Sequence, residues 1–172
     1  MHNNCTQSRE TCTVTAVMTK KSGKQTDLAA LTQTIIRENK YLTLATAGRA
    51  PWAAPLYYCS DAKTRFWVIS RPGSCHIRHI TKNNRVAFAI FDSHAPEGTG
   101  NGVQASGRMT MCRGKMVTEG LRHYHTSFIP CSTASLTHGL YRLYCIQPDH
   151  FWVLDPNAPV DKRIEVTLLK RR

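Results

Sequence analysis

The chain has 172 residues, 41% hydrophobic and 20% charged, which suits one globular domain long enough to bury a core. No apolar run approaches the ~20 residues of a membrane-spanning helix, and no apolar core follows the N-terminal charges, so neither a spanning segment nor a secretory leader is expected. With 23 Lys and Arg against 11 Asp and Glu, the formal charge of +12 points to a nucleic acid, an acidic surface or a phosphorylated small ligand.

Residues 1–26 are rich in Thr, Asn, Gln, Ser and Lys without sustained period, and read as a flexible N-terminal tail. Asp27 stands as an N-cap before Leu28, Leu31, Ile35 and Ile36 at helical spacing, and this helix should end near Asn39-Lys40. Tyr41 to Thr46 reads as a strand, Ala47-Gly48-Arg49 as a tight turn, and Pro51 to Cys59 as a second strand confined to an edge by its two prolines. After a turn at 61–64, Arg65 to Ser70 forms a third strand, with Phe66 and Val68 facing opposite to Trp67 and Ile69. Arg71-Pro72-Gly73 breaks it, and Ser74 caps a short helix to about Lys82.

Arg85 to Phe91 alternates bulky Val86, Phe88 and Ile90 with small Ala87 and Ala89, as a curved sheet with a close neighbour on its small face would. Residues 93–100 form a loop, and Gly102 to Met111 a fifth strand with a bulge at Gly107. A helix follows from Arg113 to about His125, then a covering loop from Thr126 to Gly139. Leu140 to Ile146 and Phe151 to Asp155 read as a hairpin about Pro148-Asp149, and Ile164 to Leu169 as the last strand. Short strands without βαβ alternation argue for a mainly β (α+β) antiparallel barrel of about six to eight strands, with peripheral helices, occupying 27–172 as one domain.

The charge is unevenly placed. No acid lies between Asp61 and Asp92, where Lys63, Arg65, Arg71, Arg78, Lys82 and Arg85 fall. A second acid-free stretch, Gly98 to Thr118, carries Arg108, Arg113 and Lys115. A solvating belt would mix its signs, so these windows predict a local anion site. The strongest local feature is Ile69-Ser70-Arg71-Pro72-Gly73-Ser74-Cys75-His76-Ile77-Arg78. It places hydroxyls, cations and a glycine at a helix N-terminus, where backbone N–H groups and the dipole favour an anion. A plain capped helix after a turn has the same composition.

Seven cysteines at scattered spacing, with no C-x-x-C pair, fit free thiols in a reducing cytoplasm. Cys75 and His76 are adjacent, so on a helix they point about 100° apart and do not form a nucleophile–base pair. His123-Tyr124-His125 is a weaker metal or haem candidate, since two histidines two apart on a helix face different ways. Trp52, Trp67 and Trp152 read as strand core residues.

The run from Phe66 to Phe91, read as strand, Arg-Pro-Gly-Ser, helix, Asn-Asn-Arg-Val and strand, resembles the flavin-phosphate segment of the pyridoxamine 5′-phosphate oxidase-like split barrels. The 41–57 hairpin resembles the family's first hairpin, Gly102 to Arg108 its central strand, and 151–155 with 163–166 its closing strands, so the likeness spans about 28–169. It implies a homodimer that holds flavin mononucleotide (FMN) at its interface and passes electrons to a small-molecule redox substrate. The likeness puts Ile69, Ser70, Ser74, Cys75 and His76 on the phosphate, with Arg71 or Arg78 as a further cation. It puts Ala53, Ala54 and Pro55 near the ring edge and Gln104 on the central strand. Many members carry Arg-Lys after the serine where this chain has Cys75-His76, which replaces two firm cations with a thiol and a titratable imidazole.

Other readings stay open. A deazaflavin or haem could replace FMN, and the chain could be a non-catalytic haem-handling member, because fold does not fix function. The sequence shows no extended Arg- and His-bearing C-terminal segment like that of the true oxidase, which favours a generic reductase. A nucleic-acid barrel is disfavoured, since Trp67 and Phe88 sit in apolar runs instead of alternating with cations on one face.

Overall fold

The computed structural model describes residues 27–124 and 132–168, so the expected tail, His125, residues 126–131 and the terminal Lys170-Arg171-Arg172 lie outside the described residues. The Asp27 carboxylate accepts from the N–H groups of Ala29 and Ala30 at 3.0 and 3.1 Å and so starts α1 (Leu28–Glu38). This helix buries Thr32, Ile35 and Ile36 against the sheet. Strands β1 (Tyr41–Ala47) and β2 (Pro51–Tyr57) form the expected hairpin, but Tyr58 leaves the strand and donates to the Ile36 carbonyl at 2.6 Å. What read as one strand to Cys59 therefore ends early, and Cys59–Ser60 forms a separate short β3 beside β4 (Phe66–Ser70).

Helix α2 (Cys75–Lys82) follows the Arg-Pro-Gly-Ser turn, then come β5 (Arg85–Phe91) and β6 (Gly102–Met111). Helix α3 (Lys115–Leu121) is shorter than expected, and α4 (Thr133–His138) stands inside the segment read as a covering loop. A Ser132–Ser135 capping box starts α4, and Leu136 buries it. The largest correction concerns the C-terminal hairpin. Arg142 to Leu154 is one strand, β7, running antiparallel along β6 without turning at Pro148-Asp149. Asp149 is the extra residue of a bulge opposite Ser106 and Gly107, so the turn-like dipeptide bends the strand but does not reverse it. A Cβ at Gly107 would lie 2.7 Å from the Pro148 Cα and collide with the Gln147 carbonyl, so the bulge requires glycine.

The sheet order is β2-β1-β5-β6-β7-β4-β3, with β8 (Arg163–Val166) on the far half of β7. The long β7 divides its pairing between β4 and β8, which curls the sheet into a split barrel with helices outside. Strand β4 is buried on both faces. Phe66 and Val68 join the barrel core with Leu42, Leu44, Ile90 and Val103, while Trp67 meets a second cluster of Val117, Leu136, Leu143 and Cys145. Arg65 ties that second layer down. It donates to Asp61 at 2.7 Å and Glu119 at 2.6 Å, and its guanidinium lies 4.8 Å from the Trp67 ring centre. No described helix is long and apolar enough to cross a membrane.

Candidate functional site

A cavity of about 640 Å³ opens where β4 turns into α2. Ile69, Ser70, Arg71, Ser74 and His76 line it together with the Pro72-Gly73 turn. Antiparallel pairing of Ser70 with Arg142 brings Leu140 and Tyr141 to the opposite wall, and nothing local in the sequence marks those two residues. Ser70 is the centre of the polar network. Its hydroxyl lies 2.9 Å from Ser74 Oγ and 2.8 Å from His76 Nε2. Burial, followed by the electrostatic effect of the neighbouring His79, holds the His76 imidazole below its ordinary range, which favours the neutral ring beside Ser70.

Ser74 occupies the N-cap position but does not cap α2 with its side chain. Its hydroxyl donates back to the Arg71 carbonyl. The first turn of α2 therefore has no cap from the Ser74 side chain, and the turn that leads into it, Pro72 to Ser74, lines the cavity. Arg71 is exposed at the rim, while Arg78 turns away to donate to the Gly73 carbonyl at 2.6 Å and helps hold the turn.

Cys75 is not among the lining residues. Its thiol sits 3.6 Å from His79 Nε2, and His79 Nδ1 lies 3.1 Å from Thr46 Oγ1. The i,i+4 neighbour on the helix thus meets the thiol where the adjacent histidine cannot. Gly48 makes room for this ring, since any Cβ there would collide with His79. His123 stacks on Trp67 at 6.4 Å, away from the cavity. Trp67 is wholly buried, whereas Trp52 is 47% exposed and so is not the core residue expected.

Ala53, Pro55 and Gln104 lie on the outer face of the sheet. One row across β2, β1, β5 and β6 reads Ala53, Ala45, Ala87 and Ser106, and the next reads Pro55, Thr43, Ala89 and Gln104. The small residues of β5 therefore continue, with Ala53, Ala45 and Ser106, a row of small residues over four strands. Tyr41 and Phe91, 62% and 53% exposed, edge it. Ala54 points inward and is buried.

Barrel, cavity and uncapped helix together define a split-barrel protein with a cavity at its β4-to-α2 turn. Residues 28–153 match the family model of pyridoxamine 5′-phosphate oxidase, and the chain belongs to that family. Among curated proteins none matches the sequence. The fold is similar to that of a heme binding protein from Mycobacterium smegmatis, with a TM-score of 0.66 and 14% identity over 84% of this chain. The chain spans only 60% of that protein's length. It also resembles a FAD-binding protein from Mesorhizobium loti (TM-score 0.56, 21% identity, 72% of this chain and 91% of that one). A Clostridium acetobutylicum protein of the pyridoxinephosphate oxidase family, related to general stress protein 26, gives a TM-score of 0.58 at 15% identity, over 81% of this chain and 93% of its own.

Proposed function

We propose that the chain is a flavin-binding oxidoreductase that holds FMN with the phosphate in the cavity at Ser70, Ser74 and the start of α2. The carrying observation is the cavity of about 640 Å³ beside a helix N-terminus left without a side-chain cap. Backbone N–H groups, two hydroxyls and Arg71 offer there the donors that a phosphate dianion accepts. The neutral His76 orients Ser70 and supplies no positive charge, so Arg71 and the helix dipole stand in for the two cations common in the family. Bound flavin would supply the electron transfer, and the chain would bind it, orient it and set its electrostatic surroundings.

The rows of small residues leave space for a flat ring against the outer face, and exposed Tyr41 and Phe91 favour a second copy closing over it as a homodimer. Free thiols at Cys75, Cys112 and Cys145 suit a cytoplasmic setting. A second reading, haem handling, is favoured by the similarity to the mycobacterial heme binding protein. The stacking of His123 on Trp67 weighs against that histidine as an axial ligand.

The absorption spectrum of the purified chain, with denaturation to release any chromophore, tests both readings. Twin flavin bands and released FMN support the first, and a Soret band moves the assignment to haem. A colourless protein that also takes up no added FMN overturns the flavin reading.

A further inference from the structure

A second cleft, of about 720 Å³, lies on the other side of α2. It takes its charges from both acid-free windows, which are distant in sequence. Lys82 and Arg85 come from the first, at the end of α2 and the start of β5, and Arg108 and Arg113 come from the second, along and just after β6. Pairing of Arg85 with Arg108 across the β5–β6 ladder is what brings the windows together. Arg85 is held by Asp149, and among the described residues no acid pairs with Lys82, Arg108 or Arg113. Apolar Ile77, Ile80, Met109 and Met111 share the lining with these cations.

Tyr144 also lines this cleft, and its hydroxyl is the one buried side-chain polar atom among the described residues with no hydrogen-bond partner. An unpaired buried hydroxyl is unfavourable, and such exceptions call for a missing partner. The volume falls in the range of small-molecule sites.

We infer that this cleft is a second ligand site, for a small phosphorylated compound with an apolar or aromatic body, the class of a nucleoside diphosphate. Its phosphates would meet Lys82, Arg108 and Arg113, its body the Ile80–Met109 wall, and its deepest polar atom Tyr144. The site does not depend on flavin in the first cavity, because the two have only Pro72 in common as lining.

The test is calorimetric titration of the full chain with adenosine 5′-diphosphate, with and without FMN at saturation. Saturable one-to-one binding that survives FMN is expected. R108A/R113A should weaken it about tenfold or more, since two charge-assisted bonds are lost. Y144F should weaken it by about threefold, as loss of one neutral partner would, while R71A should leave it unchanged. Circular dichroism checks the fold of each variant, and K82A, an exposed change, repeats the test if the double variant fails to fold. No binding, unchanged affinity in R108A/R113A or in its K82A substitute, or unchanged affinity in Y144F overturns the inference. Loss of binding in R71A or on FMN saturation would place the nucleotide in the first cavity and equally overturn it. A short oligonucleotide that outcompetes the diphosphate with steep salt dependence would reassign the surface to nucleic acid.

Discussion

Replacing Ser70 by alanine tests the candidate flavin site and its cost to the fold in one variant. Ser70 is 7% exposed, and its hydroxyl bonds both Ser74 at 2.9 Å and His76 Nε2 at 2.8 Å. Ser74 keeps its bond to the Arg71 carbonyl, whereas His76, itself buried, loses the partner of its Nε2. Leaving one buried polar atom unsatisfied costs about 1–3 kcal/mol. For a domain of this size, each kcal/mol lowers Tm by roughly 2–4 °C, so a drop of about 2–12 °C is expected. If FMN phosphate bonds Ser70, a charge-assisted bond worth about 1.5–3 kcal/mol is also lost, and FMN affinity should fall roughly ten- to 150-fold. Differential scanning calorimetry and fluorescence titration with FMN measure the two effects separately. A lower Tm with unchanged FMN affinity would confine Ser70 to structure and remove it from the phosphate site. An unchanged Tm would refute the account of the Ser70–His76 bond itself.

Three further outcomes follow from other parts of the molecule. Because burial holds His76 below its ordinary pKa of 6.5, the unfolded chain binds the extra proton first, so stability should fall as pH drops through about 6.5 and below. Urea midpoints between pH 7.5 and 5 should show this, His76→Gln should flatten it, and a flat wild-type profile would refute it. Gly107→Ala drives a Cβ into the backbone at Gln147 and Pro148 and should cost about 1–3 kcal/mol or more, read as a lower urea midpoint; an unchanged midpoint would mean the bulge relaxes freely. Burial pushes the thiols of Cys112 and Cys145 up to about 12, so iodoacetamide should spare both in the native protein while labelling part-exposed Cys75. Mass spectrometry that finds Cys112 labelled before unfolding would contradict their burial.

The parts of this fold that a reader can take from the sequence are those set by local period and punctuation. Asp27 before the apolar face of α1, the β1–β2 turn and the large–small alternation of β5 all carry their own signal. Pro148-Asp149 misleads because a turn dipeptide and a bulged strand have the same local composition, and only the opposing Gly107 decides between them. Helix α4 is too short and polar to show a period, and Leu136 anchors it through tertiary contact with the Trp67 cluster. In the candidate site, the strand–turn–helix run exposes Ser70, Ser74 and His76 to inspection because they are neighbours in sequence. Leu140 and Tyr141 reach the cavity by the β4–β7 pairing, and Cys75 finds His79 by helical spacing, so neither relation can be seen without the register.

The two cavities flanking α2 differ in a way its dipole explains. At the N-terminal end the dipole itself favours an anion, so the proposed phosphate site there would need only hydroxyls, backbone N–H groups and one rim arginine in place of a cationic pair. At the C-terminal end the sign reverses, and an anion near Lys82 and Asn83 faces the carbonyl end of the same helix. A site there needs side-chain cations in excess, and four gather in that cleft, three of them without an acidic partner among the described residues. The acid-free windows that suggest one anion site in the sequence thus resolve into two environments in the structure. Arg71 lines the first, while Lys82, Arg85, Arg108 and Arg113 line the second. Arg65, in the same window, is neutralised by Asp61 and Glu119 and holds the Trp67 layer in place. Removing Arg71 should therefore weaken phosphate binding at the first cavity alone, and removing Arg108 with Arg113 at the second alone.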